Sequence, residues 1–105
     1  MKLVSIMIFS AMSALTINQA IADDGAKLFA EKTCTACHGK DAKTPLMPEY
    51  PKIAGQNEAY IVNQMTDIKS GARANGNSAA MKGVMVLVSE EDIKNIAAYV
   101  SKLKP

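Results

Sequence analysis

Five consecutive residues, Cys34-Thr35-Ala36-Cys37-His38, hold both cysteines of the chain and its only histidine. Two thiols three positions apart, followed at once by an imidazole, form the pattern for covalent attachment of a haem. Each sulfur adds across one vinyl group of the ring, which ties one ring edge to a single turn of backbone. The next residue is then placed to offer its imidazole to the iron as the proximal ligand. That turn is expected to be helical, because a coiled backbone brings both sulfurs and the imidazole to one side of a flat ring. Other uses of the pattern fit less well. A thiol redox pair usually sits in a βαβ context, and no such alternation is present. A structural zinc wants four ligands, and the chain holds no further Cys or His. A disulfide between these positions would close too small a loop to staple much of the chain.

The segment before this motif reads as an export signal. Lys2 supplies a positive start, Leu3 to about Ile17 an apolar run, and Ala20-Ile21-Ala22 a small-x-small cleavage site. Residues 1–22 are therefore expected to be a cleaved signal peptide, and 23–105 a single domain. A retained anchor is disfavoured because the run is short for a span and is interrupted by Ser10, Ser13, Thr16 and Asn18. No stable membrane insertion is expected after cleavage. Export to the periplasm agrees with the haem motif, since haem of this type is attached outside the cytoplasm.

Cleavage leaves 83 of the 105 residues and removes one of the 12 basic side chains, so the balance against 10 acids falls to +1. A chain this short buries little apolar surface and usually needs a metal, disulfide or cofactor to hold together. Nucleic acid is not an expected partner, because there is no basic block and few aromatics to stack bases.

Periodicity and punctuation predict an all-α fold of three to five short helices around one covalently bound haem. Asp23 or Asp24 can cap a first helix in which Gly25, Leu28 and Phe29 share a face. A glycine inside a helical turn is costly, which suggests that another helix crosses closely there. Pro45, Pro48 and Pro51 then forbid a helix. A proximal histidine normally has its second ring nitrogen held by a carbonyl, and Pro48 is the candidate to supply it, with an ordinary turn as its other reading. A helix is predicted from Gln56-Asn57 to Lys69, with Ile61, Met65 and Ile68 as its apolar stripe and Gly71 as its stop. Residues 73–80 read as a loop, and 81–88 stay ambiguous between a strand and a close-packed loop. Ser89 and Asp92 form a capping box, with Val88 and Ile93 placed as a staple. The last helix turns Ile93, Ile96, Ala97, Val100 and Leu103 inward.

The second axial position decides between electron transfer and an open reactive site. Met47, Met65, Met81 and Met85 all offer a thioether. Met47 stands among prolines close to His38, which suggests the wrong side of the ring. Met65 sits in a packing stripe. Met81 and Met85 lie where the chain can wrap over the distal face, and residue chemistry alone does not separate them.

Taken with these features, the sequence resembles a class I c-type cytochrome of the bacterial periplasmic group related to the tandem di-haem proteins. The resemblance rests on Cys34 to Gly39, then Pro48 to Gln56, Tyr60, Gln64, Lys69-Ser70-Gly71-Ala72-Arg73, Met81, Ser89 to Ile93 and Ala97 to Tyr99. It covers essentially the whole mature chain. It implies that Met81, eight residues before Ser89, is the distal ligand, that Pro48 holds His38, and that Gly25 and Phe29 pack against Tyr99. The run Val84 to Val88 departs from the family in its bulk and keeps Met85 as a rival. A single haem motif sets this chain apart from the tandem form.

The function expected is that of a soluble monohaem carrier passing one electron between periplasmic redox proteins, with His38 and Met81 on the iron. The alternative is an electron-transfer subunit of a periplasmic oxidoreductase complex. An enzyme in its own right is not expected, since with His38 spent no histidine remains for acid–base work. Donor and acceptor proteins are expected to dock transiently at the haem edge, near Lys40, Lys43 and Lys82.

Overall fold

A computed structural model describes residues 24–105, so the signal peptide expected over 1–22 lies outside the described residues. Among the described residues there are five helices and no strand. They are α1 (24–31), α2 (Cys34–His38), α3 (Glu58–Ser70), α4 (Ser78–Met85) and α5 (Glu90–Ser101).

The longest helices begin and end where local chemistry says they should. At the start of α3 the Asn57 side chain accepts from the Tyr60 amide, satisfying a donor that the helix itself leaves free. At its end Gly71 adopts φ 90°, and its N–H returns to the carbonyls of Asp67 and Ile68. The α5 start carries the full capping box, with Ser89 Oγ accepting from the Asp92 amide and Asp92 accepting from the Ser89 amide. Val88 and Ile93, flanking that cap, are both 1% exposed and so close the staple. Lys32 Nζ lies 3.9 Å from Asp92, a long contact between two half-buried, solvent-screened side chains and so a minor contributor.

Helices α3 and α5 pack on each other through Ile61, Met65 and Ile68 on one side and Ile93, Ile96, Ala97 and Val100 on the other. Helix α1 adds Phe29, 2% exposed, whose ring sits 5.9 Å from that of Tyr99 at a 54° tilt. Burying an aromatic ring of this size contributes roughly 1.5–3 kcal/mol. The close crossing expected at Gly25 is present. A Cβ there would fall against the Asn95 carbonyl oxygen, and 2.5 Å from the Cβ of Tyr99. Gly25→Ala is therefore expected to lower the melting temperature of the haem-bearing protein. Helix propensity favours alanine by about 1 kcal/mol, whereas overpacking against backbone costs roughly 1–3 kcal/mol. The sign of the shift decides: a higher melting temperature would mean the crossing is looser than it looks.

Helix α4 departs from the sequence reading. Residues 78–80 were expected in a loop and 81–88 as a strand or close-packed loop, yet Ser78–Met85 is a helix. Gly83 and the β-branched run after it weaken the helical signal locally. Burial of Ser78 and Met85, seven residues apart on one face, overrides it.

The proline-bearing connection from Gly39 to Asn57 is irregular but tied down. Ala42, fully buried at φ 60°, gives its carbonyl to the amides of Ile53 (2.8 Å) and Ala54 (3.0 Å). The Asp41 carboxylate accepts from the amides of Lys43 and Thr44 and from the Thr44 hydroxyl, and these bonds hold it below the usual carboxylate range. The Leu46 amide bonds the Cys37 carbonyl at 3.0 Å, and the Gly55 amide bonds that of Val100, also at 3.0 Å. The loop is thus fastened to α2 at one end and α5 at the other.

Candidate haem-attachment site

Thr33 separates α1 from α2 by taking φ 65°, a left-handed conformation that a β-branched residue adopts at some cost. The chain turns there, and α2 begins at once. Within that single helical stretch Cys34, Cys37 and His38 stand at i, i+3 and i+4, which places them on one face. All three line the same cavity of about 460 Å³. That volume lies within the roughly 300–1,000 Å³ common for bound small molecules and cofactors. Its apolar walls come from Phe29, Ile61, Ile68, Ile96 and Val100, so the site occupies the middle of the core.

His38 is 7% exposed, and its Nδ1 lies 3.0 Å from the backbone carbonyl of Pro51. A carbonyl can only accept, so this contact assigns the proton to Nδ1 and leaves the Nε2 lone pair free to bind a metal. The carbonyl expected from Pro48 is therefore supplied by Pro51. Pro48 is exposed and does not line the cavity. The reason lies in the loop: the Ile53 and Ala54 amides are both bound to the Ala42 carbonyl, which fixes the backbone path just after Pro51, while Pro48 stays on the surface.

Cys34 and Cys37 are not bridged to each other. Burial is the main cause that pushes the Cys34 thiol up to about 11. A thiol so placed stays protonated at neutral pH, opposite to the lowered pKa of a thiol-redox nucleophile. Two unbridged sulfurs and an oriented imidazole on one wall of an apolar cavity fit the attachment of a haem.

To the same cavity α3 contributes Met65, and α4 contributes Met81 and Met85. Met47, 38% exposed, is not among the lining residues. Met85 is 1% exposed and packed in the core, whereas Met81 is half-buried at its edge. The arrangement thus brings three of the four candidate thioethers to the site. Gln64 and Arg73 also line it, joined by a bond of 3.1 Å from Arg73 Nη1 to Gln64 Oε1. The sequence reading quoted both without assigning either a role; the block in which Arg73 stands was the available signal.

Comparison with known proteins gives a consistent picture. The family described as cytochrome c matches residues 22–104. A cytochrome c4 of Pseudomonas aeruginosa is 37% identical over 102 residues, which is 97% of this chain and 48% of that protein. Cytochrome c-554(548) of Halomonas halodenitrificans is 42% identical over 69 residues, covering 66% of this chain and 82% of that protein. A thiosulfate dehydrogenase electron acceptor of Thiomonas intermedia is 37% identical over 73 residues, 70% of this chain and 32% of that protein. Among solved structures, reduced recombinant cytochrome c4 from Pseudomonas stutzeri superposes with a TM-score of 0.71 at 33% identity. That match covers 82% of this chain and 50% of the other. The chain therefore spans about half the length of the cytochrome c4 proteins it matches.

Proposed function

Because this chain belongs to the cytochrome c family, which binds haem c covalently, we propose that it is a periplasmic one-electron carrier. Cys34 and Cys37 hold the haem, His38 is the proximal ligand, and Met81 is the distal one. When bound, the haem supplies reversible one-electron chemistry, and the polypeptide fixes its ligands and surroundings. The observation that carries the reading is the cavity that α2 lines with Cys34, Cys37 and His38 and α4 lines with Met81 and Met85. A haem ligated by both His38 and Met81 would have no open position, which favours electron transfer over reactions at the iron.

Electrons leave such a domain through the ring edge near the surface. Lys40, Lys43 and Lys82 are exposed, and Lys40 and Lys43 belong to the loop that Leu46 ties to Cys37. A donor or acceptor with an acidic face would be steered by these charges more than it would be held by them. The steering fades over a Debye length of about 8 Å at physiological salt. The test is stopped-flow electron transfer between the haem-bearing protein and an acidic redox partner across a salt series, together with exposure of the reduced protein to carbon monoxide. Fast exchange, slowed at low salt in Lys40→Gln/Lys43→Gln/Lys82→Gln, and no carbon monoxide binding are expected. Ready carbon monoxide binding at neutral pH would point to an open iron and reject the carrier. Salt-independent rates shared by both proteins would reject the lysine surface.

The relative named as a thiosulfate dehydrogenase electron acceptor supports a second reading, in which this domain takes electrons within a periplasmic oxidoreductase complex. Stable co-purification with such an enzyme would favour it over transient docking.

A further inference from the structure

The block Lys69-Ser70-Gly71-Ala72-Arg73 ends α3, and its lysine does something that ending a helix does not require. Lys69 Nζ donates to the backbone carbonyl of Met85 at 2.7 Å in a half-buried setting. The same carbonyl accepts from the Val88 amide at 3.1 Å, so both of its lone pairs are used. Among the described residues Lys69 makes no ion pair. Its charge instead meets the C-terminal end of α4, where the helix dipole favours a cation.

Helix α4 needs such a hold. It is 8 residues long, and a helix of that length is marginal without packing. Gly83 in its interior weakens it further, and Asn77 provides no side-chain cap. Only Ser78 and Met85 are buried, and α3 is its helical neighbour. Met81 lies between the two buried positions, one turn before the carbonyl that Lys69 grips. The turn after α3 is itself locked, since the Arg73 amide returns to the Asp67 carbonyl at 3.0 Å. Lys82 of α4 lies over that turn: its Nζ would sit 2.9 Å from a Cβ at Gly71.

We propose that Lys69 is a positioning residue that pins the C-terminal end of α4 and thereby keeps Met81 on the iron, an inference that rests on the reading of Met81 as ligand. The latch joins the end of one helix to the end of another, so losing it frees α4 while leaving the α3–α5 core intact. Removing it lets the distal thioether lift away and lets an outside ligand take its place.

The experiment titrates imidazole into the oxidised, haem-bearing protein and follows the weak red methionine-to-iron band. Amide hydrogen exchange over 79–86 is recorded alongside. Lys69→Met keeps an apolar arm of similar reach but no donor. It is expected to bind imidazole about tenfold more tightly, the scale set by a hydrogen bond from a charged donor. Exchange in α4 should quicken while α5 stays as protected as before. Lys69→Arg should restore most of both properties, and Lys69→Gln, too short to span the gap, should behave as the methionine variant where that variant matures poorly. Wild-type imidazole affinity and wild-type α4 exchange in Lys69→Met and Lys69→Gln would overturn the latch. Met81→Ala separates the two readings. If it keeps the band, the ligand assignment fails. If it loses the band while Lys69→Met matches the wild type, only the latch fails.

Discussion

Replacing Cys34 and Cys37 together by alanine is expected to yield a colourless polypeptide that does not melt cooperatively. Both effects follow from where the site lies. The cavity of about 460 Å³ is walled by Phe29, Ile61, Met65, Ile68, Met85, Ile96 and Val100, which make up most of the buried core. Without a group to pack against, these side chains face a void or water. At roughly 24 cal/mol per Å³, an empty sealed void of that size would cost about 11 kcal/mol. Water entering through the open mouth makes the actual loss smaller, yet the whole stability of a small domain is only about 5–15 kcal/mol. The double variant should show no haem stain on a denaturing gel, and a sloping far-ultraviolet melt with reduced helix signal. Cys37→Ala alone retains one thioether and should keep colour on the gel at lower yield. A double variant that melts cooperatively with full helix content would show that α3 and α5 hold the fold by themselves.

That expectation explains which parts of the molecule could be read from sequence. Helices α3 and α5 are written in short-range chemistry: Asn57 and Gly71 bracket one, and Ser89, Asp92, Val88 and Ile93 start the other. Gly25 was legible for a related reason, since a glycine in a helix is costly unless something needs the space, and Asn95 and Tyr99 need it. The attachment turn was legible because the spacing of Cys34, Cys37 and His38 already states its own geometry. Two features were not. Helix α4 is held by burial of Ser78 and Met85 and by Lys69 from another helix, none of which leaves a local mark. The choice of Pro51 over Pro48 depends on the backbone path set at Ala42, a buried alanine at φ 60° that carries no sequence signal for that conformation. Long-range contacts decide both, and one-dimensional spacing does not record them.

Met81→Ala is expected to have the largest effect on the redox chemistry, and Met85→Leu almost none. Both side chains line the cavity from the same helix, four residues apart, so proximity alone does not choose between them. Their surroundings differ. Met85 is 1% exposed, belongs to the core, and has its backbone carbonyl held by both Lys69 and Val88. A side chain so enclosed serves packing, which methionine does well by filling irregular gaps. Met81 sits at the edge of that core, half-buried, where its thioether can face a ring instead of other side chains. Removing the distal thioether should abolish the weak red band of the oxidised protein and lower the reduction potential. The shift should be a substantial part of the roughly 0.8 V that axial ligands can span. Met85→Leu is a volume-conserving change that costs less than about 1.5 kcal/mol. It should lower the melting temperature slightly while leaving the band and the potential in place. Spectra and redox titrations of the two variants side by side settle the assignment. Loss of the band in Met85→Leu with its retention in Met81→Ala would move the ligand one turn along α4 and make Met81 the packing residue.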